Sequence, residues 1–208
     1  MVNIRHAAFV LIAFVVAASG AEAATCDQPP AVAIEVDVHE APIIKLDNLS
    51  ISDLQGMSAR LKHRSAYPVL GFYTGTVGYA LPRVDILSDA PPTPDVKPCP
   101  QLVIQAELSA VDWRIAVASD LSAVACRLRA AAEHYRNHAA AASVALHRFA
   151  SELPNRLGPE INQYLRGHAG LFEAQLPDLR QHVSSLLELT VATFSASLAG
   201  VQASVDTP

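Results

Sequence analysis

The sequence predicts an α+β domain, a small antiparallel sheet followed by a long helix and a helical tail. Three observations carry this. Between residues 33 and 118, short runs alternate apolar and polar side chains, which is the period of a half-buried strand. From 119 to 200, apolar residues recur every three or four positions, as on one face of a helix. The two regimes share one chain long enough for a single domain with a core of its own.

Residues 1–23 read as a signal peptide. Arg5 and His6 precede the apolar run Ala7 to Ala18, and Ala21-Glu22-Ala23 supplies the small residues at which cleavage before Ala24 is expected. The run is short for a membrane span, and Thr25 before Cys26 does not fit lipid attachment; an uncleaved N-terminal anchor is the alternative. The expectation is an exported chain, periplasmic or secreted, with one domain over 24–200 and a frayed tail over 201–208. The formal net charge is −5, with no basic tract or basic-aromatic stripe, which argues against nucleic acid and against an anionic membrane surface as partners.

Ile34, Val36 and Val38 alternate with Glu35, Asp37 and His39, a strand with one wet face on which His39 is solvated. Ile43 to Leu46 is a second short strand. Ser50 and Asp53 form a capping-box pattern ahead of Leu54, Met57 and Leu61, so a short helix ending near His63 follows, with Met57 on its core side. Val69 to Leu81, interrupted by Gly71, Gly75 and Gly78, fits a bulged strand or tight hairpin. A phosphate-binding glycine loop is disfavoured there, because neither a helix start nor a lysine follows in the right place. Arg83 to Leu87 extends the sheet, and the proline-rich Ser88 to Pro100 is an irregular connection. Leu102 to Leu108 and Trp113 to Ala118 read as an antiparallel hairpin.

Ser119 or Ser122 is then expected to cap a long helix running to about Phe149. Its core stripe is Leu121, Ala125, Leu128, Ala132, Tyr135, Ala139, Ala142, Leu146 and Phe149. Leu153-Pro154 and Gly158-Pro159 kink or end it. Pro177-Asp178 opens a last helix with Leu179, Val183, Leu186, Leu187, Thr190, Phe194 and Leu198 on one face, closed by Gly200. Its charges Arg180, His182 and Glu188 are expected to exclude a membrane span, and His168 and His182 fall on polar faces.

His134 and His138 stand four apart on the long helix, so both rings can face one object, as metal-ligating histidines do. Spacing alone is weak, since eight histidines in 208 residues give roughly 0.3 such pairs by chance, and two half-exposed histidines on an amphipathic helix explain it equally. They lie at the border between core and solvent. Glu133 points away from them, His147 lies on the far flank, and Glu152 is too far along the axis, so a third ligand has to come from another element. Glu160 and Glu173 stay open.

The stretch Gly71-Phe-Tyr-Thr-Gly-Thr-Val-Gly78, then Cys99, then Cys126 with His134 eight residues on, resembles a family of bacterial secreted zinc-dependent proteases of zincin type. In that family a cysteine precedes H-E-x-x-H by about two helical turns, and the similarity covers roughly residues 33–157. The resemblance implies a zincin-like fold with zinc on His134 and His138. This chain departs at the general base: the glutamate position holds Tyr135, within His134-Tyr-Arg-Asn-His138. A tyrosine of ordinary pKa, about 10, is a poor proton acceptor at neutral pH. The expectation is a degenerate centre with zinc held weakly or not at all, acting as a binding module for a protein or peptide of the cell envelope. The alternative is a residual zinc-dependent peptidase using His134 and His138. Of the three cysteines, Cys99 and Cys126 are expected to pair, stabilising by roughly 3–4 kcal/mol through loop closure and leaving Cys26 over.

Overall fold

The computed structural model describes residues 30–60, 69–87, 101–167 and 175–206. The predicted signal peptide, Cys26, the proline-rich connection with Cys99, and His63, His168 and Glu173 lie outside them. So does the partner expected for Cys126, which is exposed on the first turn of its helix.

The molecule is α+β, but its sheet is not the expected antiparallel one. Five strands form it: β1 (Ala31–Glu40), β2 (Ile44–Leu46), β3 (Gly71–Tyr79), β4 (Arg83–Leu87) and β5 (Gln101–Val117). All four others pair with β5, with β1 and β2 parallel and β3 and β4 antiparallel. β1 and β4 share partners over Gln101–Gln105, and β2 and β3 share Arg114–Ala116. A residue in a ladder has one neighbour on each side. The parallel pair therefore lines one edge of β5 and the antiparallel pair the other.

The hairpin expected over 102–118 is instead this single central strand of 17 residues. Leu102, Ile104, Ala106, Leu108 and Ala110 share one buried face, and Trp113 joins the same core. One extra residue near Asp112 restores that face: the β3 register shifts between Thr74 and Thr76, and Asp112 has φ 54°. A short polar side chain tolerates that left-handed conformation, so the run Ser109–Asp112 makes a bulge where a turn was expected. Gly75 faces the bulge, and a Cβ there would lie 2.0 Å from Trp113 Cδ1.

The capping box forms as expected at α1 (Ile51–Arg60). The Ser50 N–H donates to the Asp53 carboxylate at 2.9 Å, and the Asp53 N–H donates to Ser50 Oγ at 3.1 Å. Met57, by contrast, is 36% exposed; Leu54 alone of the described helical stripe is fully buried. The turn Ser119–Ala123 is 3₁₀, and Asp120 accepts from the Ile51 N–H, which ties it to the start of α1.

Two helices cover the apolar side of the sheet. α2 (Ala125–Arg166) begins at Val124 with no side-chain cap, so neither Ser119 nor Ser122 caps it, and it runs through Pro154 and Pro159 without ending. Leu153, Leu157, Ile161 and Leu165 explain the continuity: spaced by four, all are buried. Two internal prolines cost roughly 3 kcal/mol each, while burying four such side chains stabilises by roughly 1.5–3 kcal/mol each. α3 (Leu176–Val205) starts on Pro177 as expected, but it passes Gly200 and reaches Val205 instead of fraying. By length and composition α3 is apolar enough to cross a membrane, so its charges do not exclude a span. Here its buried side chains pack on α2 and the sheet.

Candidate metal centre

His134 and His138 occupy successive turns of α2, where the helix crosses from the end of the sheet to the end of α3. The sheet sets His138 in place. Tyr73 of β3 stacks on its ring at 6.5 Å and 9°, and Trp113 supports Tyr73 edge-on at 6.0 Å. Burial goes further than the sequence suggested: His138 is 7% exposed and is the buried polar residue of the described chain, while His134 stays half-exposed.

A third donor comes from the tail that was expected to fray. Asp206, the cap residue of α3, places Oδ1 3.2 Å from His134 Nε2 and 3.1 Å from His138 Nε2; the two Nε2 atoms are 3.1 Å apart. Among the described residues these three form the cluster able to hold a metal ion. The triangle has the size that a metal ion would need. Zinc bonds nitrogen and oxygen at about 2.0–2.2 Å, so ligand atoms on a tetrahedral face lie roughly 3.3 Å apart. The observed edges are close to that value.

The tautomer agrees. Gln202 Nε2 donates to the His138 backbone carbonyl at 3.4 Å, which turns Gln202 Oε1 toward His138 Nδ1 at 2.5 Å. An amide oxygen accepts only, so Nδ1 carries a proton; Nε2 faces Asp206 Oδ1, to which it can donate when protonated, and in the neutral ring it would offer its lone pair to a metal ion. That is the arrangement by which a neighbouring carbonyl orients a metal-ligating histidine.

Tyr135 stands beside the centre but does not face it as a base. Its ring lies edge-on to His134 at 5.0 Å and packs over Gly71, where a Cβ would come within 2.3 Å of Tyr135 Cε2. Burial, then the Asp206 carboxylate, push its phenol above the ordinary range, against a backbone hydrogen bond with Gly71 that acts the other way. Burial and then Glu40 raise Tyr73 to about 12. Both phenols are therefore protonated at neutral pH.

The remaining candidates are engaged elsewhere or face away. Glu133 is exposed, and Glu152 sits between Arg148 at 3.0 Å and Arg156 at 2.8 Å, which hold its carboxyl below the usual range. His147 pairs with Glu40 at 3.0 Å, and Ser143 donates to the same carboxylate oxygen, fixing α2 to the end of β1. His39 is exposed, 3.7 Å from Glu107. His182 is not on a polar face: it is half-buried, stacked on Tyr164 at 4.5 Å, with Nε2 buried and unpaired among the described residues.

Asp206 and Gln202 were missed because Gly200 reads as a stop. A signal was present: Phe194, Leu198, Val201 and Val205 continue the helical rhythm past that glycine and carry Asp206 with it. Comparison of the chain with protein-family models, curated proteins and solved structures finds no match.

Proposed function

We propose that this chain is an exported, zincin-like module that has kept a metal centre and lost hydrolytic chemistry, and that it serves the cell envelope by binding a protein or peptide. One observation carries the reading: His134 Nε2, His138 Nε2 and Asp206 Oδ1 converge within 3.2 Å, with His138 oriented from behind by Gln202. Two imidazoles and one carboxylate suit zinc or a neighbouring late transition-metal ion, whereas calcium and magnesium prefer all-oxygen sets. A bound ion would supply Lewis acidity and a positive charge. This chain's residues would hold it but would not move a proton. Asp206 is itself a ligand, and the Tyr135 phenol is held at Gly71. Loss of a positioned base costs on the order of 10²–10⁴-fold in rate.

The second reading is a residual zinc-dependent peptidase. It is favoured by the outer side of the triangle, where His134 and Asp206 are 40% and 61% exposed and leave room for a fourth ligand.

The two readings separate on a peptide library. The zinc-loaded chain is expected to cleave nothing, and Tyr135→Glu is expected to lose about 1–3 kcal/mol of stability because it breaks the packing over Gly71. Zinc-dependent cleavage by the unmodified chain, abolished in His134→Ala, would establish the peptidase instead.

A further inference from the structure

We propose that the metal centre is a clasp: an ion shared by His134, His138 and Asp206 fixes the last turns of α3 against the middle of α2, so metal supply controls the order of that end. This inference rests on the metal-binding reading above and adds what the metal does.

Two independent features of α3 point to it. The first is packing. The buried side chains of α3 are Leu179, Val183, Leu187, Val191 and Phe194, and none follows Phe194. Beyond it Leu198, Val201 and Val205 are only half-buried, while Ala196, Ala199, Gly200 and Ala203 are small and exposed. Apolar burial thus fades before the helix ends, and glycine inside a helix weakens it further. The contacts that hold these final turns to α2 include Gln202 on both sides of His138 and Asp206 on both imidazoles.

The second feature is charge. Asp206 caps the C-terminal end of α3, and the last turn holds no basic residue. A carboxylate is disfavoured there, because the helix dipole presents its negative end and unpaired carbonyls. A divalent cation between Asp206 and two neutral imidazoles reverses that sign.

The clasp also reaches a cavity. Ser195, Leu198 and Gln202 of α3 line a space of about 340 Å³ whose opposite wall is Tyr73, Gly75 and Trp113. Release of the end of α3 would widen it on its open side.

Amide hydrogen exchange of the full chain, read by mass spectrometry over residues 198–206, tests this. Zinc binding is measured in the same samples by chelator competition. If closing the clasp and binding zinc are one event, exchange slows by the factor 1 + [Zn]/Kd, about tenfold at free zinc tenfold above Kd. The slowing is expected to vanish in His134→Ala, and calcium is expected to give none. Stoichiometric zinc uptake with unchanged exchange over 198–206 would overturn the clasp while leaving the metal site standing. No zinc uptake would remove the metal-centre reading and the clasp with it. Equal protection by calcium would show that Asp206 acts without the imidazoles and would also overturn it.

Discussion

α2 and α3 meet in two ways. Toward the middle of α3 the contact is apolar: Phe149 stacks on Phe194 at 4.3 Å, in a core that also holds Leu146, Leu153, Val183 and Leu187. At the end of α3 it is polar: Gln202 and Asp206 meet His138 and His134. The apolar contact is closed by the hydrophobic effect alone and needs nothing from solution. The polar contact brings two imidazole nitrogens and a carboxylate oxygen to one point, and on the proposed clasp a cation among them completes it. On that proposal the same helix pair carries a permanent joint and a conditional one, and they should respond differently to mutation.

The largest effect is expected at the permanent joint. Leu153→Ala removes a fully buried side chain next to Pro154 and should destabilise by about 2–5 kcal/mol in chemical denaturation, with or without zinc. If zinc restored that loss, the two joints would not be separable.

Gly71→Ala attacks the conditional joint from the sheet side. Its Cβ would meet Tyr135 Cε2 at 2.3 Å and the Ala116 carbonyl oxygen at 2.4 Å. Overpacking of this kind costs about 1–3 kcal/mol. Because one obstacle is backbone, Tyr135→Ala should relieve only part of the cost in a double-mutant cycle, and full relief would mean that the ring is the sole constraint.

An alkaline titration sharpens the same region. Tyr73 is raised from an ordinary value of 10.0 to about 12 in the folded chain. A raised folded pKa means that the folded state keeps the proton longer than the unfolded one. Its contribution is thus whole below about pH 10 and is lost as pH rises toward 12. Phenolate absorbance should show Tyr73 ionising late, together with falling stability; ionisation at the ordinary value would show that Tyr73 is not packed against His138 as described.

The smallest effect is expected far from both joints. Ser50→Ala removes the cap of α1 and should cost about 0.5–1 kcal/mol with zinc affinity unchanged.

What the sequence disclosed follows the same division. Local patterns were legible: the alternation of β1, the Ser50–Asp53 box, the Ala139, Ala142, Leu146 and Phe149 part of the α2 core stripe (Ala125 is exposed) and the Pro177 start of α3 all depend on neighbouring residues. Features decided by distant partners were not. Whether Ser109–Asp112 turns or bulges depends on β3 opposite, and whether β1 runs parallel to β5 depends on the connection between them. Pro154 breaks the helix or not according to what Leu153 and Leu157 find to pack against. For the site, two of three donors could be read from one helix. The third lay 68 residues beyond His138, past a glycine that locally marks a stop.

The central claim is that Asp206 completes a metal site begun by His134 and His138. Its most direct test is zinc titration of the tag-free, metal-stripped chain against a chromophoric chelator. The account predicts one zinc per chain, with affinity falling at least about tenfold in each of His134→Ala, His138→Ala and Asp206→Asn. The absence of saturable zinc binding, or an Asp206→Asn chain that binds as tightly as the original, would contradict it.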